Sequence, residues 1–241
     1  MDSTQEEIAN LNQNLRSIVD RYRTSDGKVN YFALMADKGM INFAEKLADF
    51  DISALTTREA QLAFWINSYN ALSIYGVVKK LENDPSFADK GNKSWFGRVR
   101  FFALQKFNVG GKEYTLRNIE DYIRKEFGDP RIHFALNCSS LGCPLLKDGF
   151  YSAENIDNEL SAATKLYLSS KEGAQINDND LYVSKIFKWY KKDFEATGKT
   201  VIEYIREYAP EKIRELIDSK NGKVKLKYID YDWGLNLSEQ E

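Results

Sequence analysis

From Thr56 to Lys80 the chain has almost no polar side to turn toward water. Leu62, Phe64, Trp65, Ile66, Tyr69, Leu72, Ile74, Tyr75 and Val77 recur at helical spacing on nearly every face. Thr56 followed by Glu59 is a capping-box signature that sets the start of a helix reaching about Lys80. A helix that is apolar all round is a buried one, so the remaining elements must wrap it. It is not a membrane span, because Asn67, Ser68 and Asn70 interrupt it and its ends are charged. Asn67 and Asn70 fall on one face, and a buried amide needs hydrogen-bond partners. Two roles fit them: a clamp on a neighbouring loop, the commoner use of buried polar groups, or contact with a substrate.

The flanking sequence supplies elements to do the wrapping. Ile8, Leu11, Leu15, Ile18, Val19 and Tyr22 mark an amphipathic N-terminal helix (residues 1–28 with its turn at Asp26-Gly27), and a single globular unit is expected over 29–241. Val99–Val109 and Lys112–Tyr114 about Gly110-Gly111 read as a hairpin, and Ala174–Ser184 about Asn177-Asp178-Asn179 as a second. Helices are expected over 116–127 behind Thr115, over 153–169, over 185–194, and over 200–208 and 210–218. Val224, Leu226 and Tyr228 alternate as a strand. The expected class is α+β: mainly helical, with the long helix packed on a small, mostly antiparallel sheet.

Chemistry is confined to one place. His133, the only histidine, and Cys138 and Cys143, the only cysteines, lie in RIHFALNCSSLGCPLL, residues 131–146. Ile132–Leu136 reads as a short buried strand and Asn137–Gly142 as the turn that ends it, with Pro144 holding Cys143 in extended geometry. One histidine excludes two-histidine zinc and iron sites, and no glycine-rich phosphate loop is present. The spacing of His133, Cys138 and Cys143 matches no common zinc pattern, so neither metal nor cofactor is expected.

A thiol enzyme needs a thiolate, a base and a group that orients the base. Cys138, with Cys143 in reserve, His133 and Glu120 or Asp232 provide the types, and Asn137 or a backbone N–H could stabilise an oxyanion. Glu120 falls within the Leu116, Ile119, Ile123, Phe127 stripe, where a carboxylate needs a partner unless it reaches solvent at the margin. On a strand, His133 and Cys138 would face opposite sides, so they meet only if the chain turns sharply after Leu136. A turn over Ser139–Gly142 would also bring the sulfurs together. Buried cysteines beside a core histidine, a catalytic thiol and a reversible disulfide all remain open, and a metal site ranks last because of that spacing.

The motifs FWINSYNAL (64–72), RIHFALNCSSLGCPLL, SKIFKWYKKDF (184–194) and YDWGLN (231–236) together resemble domain-of-unknown-function family 547 (DUF547). The resemblance runs from about Val29 to the end and joins the asparagine pair, Glu120, His133, Asn137, both cysteines and Asp232-Trp233 into one pattern. It implies no established reaction. The expectation is a Cys–His hydrolase or acyl-transferase acting on an amide or ester in a small molecule or peptide, with Asn67, Asn70, Asp232 and Trp233 contacting substrate. The alternatives are a binding or signalling module presenting Trp189, Tyr190 and Trp233, or a Cys138–Cys143 redox switch. Net charge is −2 with no basic stripe, so nucleic acid is not expected as a partner. The first ten residues have no basic or apolar segment of a secretion signal. With Met1 native a soluble cytoplasmic protein is expected, and with a signal removed an exported one.

Overall fold

The computed structural model describes residues 3–238; Met1, on which the expected compartment turned, lies outside them. Four helices come first: α1 Ser3–Tyr22, α2 Tyr31–Met35, α3 Gly39–Asp49 and α4 Arg58–Asn83. The cap of α4 is Thr57, one residue later than expected, its hydroxyl accepting the Ala60 N–H at 3.1 Å. Two short helices follow, α5 Phe87–Lys90 and α6 Trp95–Arg98, and then a π-helical turn at Val99–Leu104. The first hairpin is accordingly shorter than expected: β1 Phe107–Val109 pairs with β2 Lys112–Tyr114. Gly110 and Gly111 turn it at φ +57° and +74°, the left-handed geometry a two-residue hairpin loop requires.

Helix α7, Leu116–Phe127, starts on a Thr115–Asn118 capping box and buries Leu116, Ile119, Ile123 and Phe127. Then come α8 Ile156–Leu168, β3 Ala174–Asn177, β4 Asp180–Ser184, α9 Ile186–Trp189, α10 Lys191–Glu195, α11 Val201–Tyr208, α12 Glu211–Ser219 and β5 Leu226–Ile229. The single helix expected over 185–194 is thus two short ones. Strand β4 pairs antiparallel with β3 and parallel with β5. The chain is mainly helical with two small sheets, the α+β class expected. The apolar faces of α4 rest chiefly on other helices, notably α2, α3 and α7. Among the described residues no helix is long and apolar enough to cross a membrane.

One expectation fails outright. Residues 130–134 form a 3₁₀ helix where a strand was read at Ile132–Leu136. Asp129 caps it, accepting the Arg131 N–H at 2.9 Å, and Pro130 supplies a preset helical φ at the first position. A short apolar run satisfies its need for burial equally well in a helical turn. Ile132 enters the apolar cluster around α4, and Phe134 enters a second cluster with Tyr167, Phe187 and Phe194.

Candidate functional site

The loop after this 3₁₀ turn is held from behind by α4. The side chain of Asn70 donates to the Ala135 carbonyl at 2.9 Å and accepts the Asn137 N–H at 2.8 Å. One turn earlier, Asn67 makes the same two-way bond with Tyr151, donating to its carbonyl at 2.8 Å and accepting its N–H at 2.9 Å. Of the two roles that fit these amides, clamp and substrate contact, both are engaged in the first, as clamps on neighbouring backbone. Asn137 closes the loop on itself, donating to Pro144 O at 2.7 Å and accepting the Ser139 N–H at 2.9 Å. Ser139 sits at φ +59° with its hydroxyl 2.8 Å from that of Ser73 on α4. The tight turn is Ser140–Cys143, one residue beyond the expected one, with the Cys143 N–H on the Ser140 carbonyl at 3.0 Å.

The carboxyl-terminal segment is laid against the loop like an extra strand. Leu141 N–H donates to Gly234 O at 2.8 Å, Gly142 N–H to Asp232 O at 2.9 Å, and Asn236 N–H to Ser139 O at 3.1 Å. There is no room for a side chain at Gly142, where a Cβ would stand 2.9 Å from the Asp232 nitrogen. We predict that Gly142→Ala costs about 1–3 kcal/mol by pushing this segment away. Urea unfolding that leaves the midpoint unchanged would refute the close approach.

The turn brings Cys143 back to Cys138, and the two are joined in a disulfide with Cα atoms 6.2 Å apart. The backbone N–H of Cys138 points at the Cys143 sulfur at 2.9 Å. The Tyr231 hydroxyl donates to the same sulfur at 3.0 Å and lies 3.3 Å from that of Cys138. Burial pushes the Tyr231 phenol well above its ordinary pKa, so it remains a donor. Cys138 is half-buried, whereas Cys143 is buried.

His133 is also buried, and Nε2 stands 2.8 Å from Asp193 Oδ2 on α10. Arg124 of α7 grips the same carboxylate through Nε at 2.7 Å and a terminal nitrogen at 3.1 Å. Burial raises the Asp193 carboxyl, but the bonds from His133 and Arg124 outweigh it and hold the group well below the usual carboxylate range. The His133 ring stacks on Tyr190 at 3.9 Å, and the Tyr190 hydroxyl donates to Glu120. Glu120 has thus found a partner, but not His133. Neither Glu120 nor Asp232 orients the imidazole; Asp193 is its carboxylate. Asp232 is exposed and accepts the Gly234 N–H at 2.7 Å.

These groups surround one cavity of about 310 Å³. Cys138, Cys143, His133, Glu120 and Trp233 line it, joined by Tyr231, Tyr190, Arg124 and the rings of Trp95, Phe102 and Trp189. Asn67, Asn70, Asn137 and Asp232 do not. Histidine and cysteines share this space because a 3₁₀ turn, unlike a strand, does not impose alternating sides. The three rings expected to form a binding surface, Trp189, Tyr190 and Trp233, are walls of this same cavity. Asp193 and Tyr231 are the residues that sequence reasoning missed. Both were in view, within the SKIFKWYKKDF and YDWGLN motifs, but a fixed carboxylate among many surface ones carries no local signal. No group of three His, Cys, Asp or Glu able to hold a metal occurs among the described residues.

Residues 52–168 match the family model described as "Protein of unknown function, DUF547". The matched segment contains the asparagine-bearing helix and the His133–Cys143 loop, while Asp193 and Tyr231 lie beyond it. No curated protein and no solved structure matches the chain.

Proposed function

We propose that this DUF547 domain carries out thiol–disulfide exchange at Cys138–Cys143, on a thiol substrate held in the aromatic cavity. The unequal setting of the two sulfurs carries the reading. Cys138 is half-buried at the cavity, while the buried Cys143 sulfur faces the Cys138 N–H and is the nearer of the two sulfurs to the Tyr231 hydroxyl, at 3.0 against 3.3 Å. A substrate thiolate attacks the Cys138 sulfur, the S–S bond breaks, and the electron pair leaves on Cys143. Two hydrogen bonds to the departing thiolate favour its charged form and make it the better leaving group. A second substrate thiol then attacks the mixed disulfide and expels Cys138. His133, fixed by Asp193, accepts the proton from that thiol. The substrate loses two electrons and gains a disulfide, and the protein becomes a dithiol. A low-molecular-weight disulfide such as oxidised glutathione restores it by the reverse steps.

The test is to equilibrate the protein in glutathione buffers of graded ratio and count alkylated thiols by mass. Two thiols are expected to appear together, with a midpoint the buffer series can reach. A protein that stays fully reduced, or fully oxidised, across the series would exclude exchange. We further predict that Tyr231→Phe raises the lower thiol pKa of the reduced protein by about one unit, through loss of a hydrogen bond to a charged sulfur. An iodoacetamide rate–pH profile unchanged by the substitution would rule out that role.

A second reading, a Cys–His hydrolase or acyl-transferase on an amide or ester, is favoured by one observation: the His133–Asp193 bond at 2.8 Å, which exchange does not strictly require. Reduced Cys138 would be the nucleophile, His133 its base and Asp193 the orienting group. It predicts ester or amide turnover that appears only after reduction and disappears in Cys138→Ser.

A further inference from the structure

The most exposed large apolar side chains among the described residues are Phe96 at 79%, Leu104 at 65% and Trp95 at 62%. All three fall on one stretch, α6 and the π-helical turn after it, whose inner residue Phe101 is fully buried. Exposed apolar groups scattered singly need no explanation, but three on one short segment mark an interaction surface. Cations dominate the stretch itself: residues 93–106 include Lys93, Arg98, Arg100 and Lys106 and no Asp or Glu, in a chain whose net charge is −2, and of these Lys106 pairs with Glu113 at 2.7 Å. Phe96, Arg100 and Leu104 share a groove with Lys80 at the end of α4. Burial first, and then the nearby Arg100, push the Lys80 ammonium below its ordinary pKa against the opposing pull of Asp84. Aromatic and aliphatic side chains ringed by Lys and Arg are the composition that seats a protein at a lipid–water interface.

We propose that this face docks on an anionic lipid bilayer, with Trp95, Phe96 and Leu104 entering the acyl boundary and Lys80, Lys93 and Arg100 meeting the headgroups. The proposal does not depend on the thiol chemistry above. It does bear on that site, since Trp95 and Val99 also line the aromatic cavity, and docking sets that cavity beside the bilayer.

Sedimentation with vesicles tests it, using the full chain and phosphatidylcholine vesicles with or without about 30 mol % phosphatidylglycerol. Binding is expected to the anionic vesicles and to weaken as salt is raised. Phe96→Ser with Leu104→Ser, both exposed and tolerable to the fold, should weaken it at least about tenfold. Lys93→Gln with Arg100→Gln should remove the preference for phosphatidylglycerol. No binding to anionic vesicles, or equal binding by the Phe96/Leu104 double variant, would overturn the proposal. So would a dimer, measured by light scattering, that the same double variant dissolves, because a second copy would then be what covers this face.

Discussion

Asn70→Ala is expected to lower the unfolding free energy by about 3 kcal/mol, as each buried backbone group left unpaired costs roughly 1–3 kcal/mol. The native amide satisfies two such groups, the Ala135 carbonyl and the Asn137 N–H, and itself is 4% exposed. Water cannot replace it without opening the contact between α4 and the loop. Asn70→Asp separates this loss from simple loss of volume. The carboxylate could still accept from Asn137, but it would set an unpaired charge against the Ala135 carbonyl, and it should cost at least as much as alanine. Because Asn70 holds the backbone just ahead of Cys138, both variants should also make the disulfide easier to reduce. Urea unfolding would register the first effect and thiol counting in glutathione buffer the second. A stability loss below about 1 kcal/mol in both variants would mean that the clamp is not what fixes the loop.

Asp193→Asn should cost about 2 kcal/mol near neutral pH, the loss of charge-assisted bonds to Arg124 and His133 from a partly buried carboxylate. The pH dependence distinguishes this from a generic packing defect. A carboxyl whose folded pKa is depressed stabilises the fold above its unfolded pKa of about 4, and that contribution is lost as pH falls through the lower folded value. Stability should therefore fall more steeply with acidification in the wild type than in Asp193→Asn. Their difference should be full above about pH 5 and shrink at lower pH. Parallel unfolding curves at every pH would show that Asp193 carries no such linkage. In the exchange assay the same variant should slow release of the mixed disulfide while leaving the first attack on Cys138 unchanged, since in the exchange proposed above only the later step uses His133.

The cavity explains which parts of the site could be read in advance. With one histidine and two cysteines in the chain, His133, Cys138 and Cys143 were bound to be the reactive types of any thiol site, wherever they ended up. Glu120 was conspicuous because it broke an apolar stripe, and it does line the cavity. Its partner was not legible: the Tyr190 hydroxyl comes from an element 70 residues on. The strand read at Ile132–Leu136 failed because a short apolar run has no period long enough to tell a strand from a helical turn. That error had a consequence, since strand parity put His133 and Cys138 on opposite sides, whereas both line one cavity.

By itself the sequence determined that α4 would be the buried centre, that its two asparagines would need partners, and that the only histidine and both cysteines would sit between Arg131 and Leu146. Burial and capping are set by residues within a turn or two of one another, so pattern and composition express them directly. Tertiary structure alone decided that Asp193 would hold His133 from 60 residues away and that Tyr231 would reach the sulfurs from beyond β5. It also decided that both asparagines would bind backbone. An ion pair or hydrogen bond between distant segments is fixed by how whole elements pack, and no local preference of Asp or Tyr records which partner packing will bring.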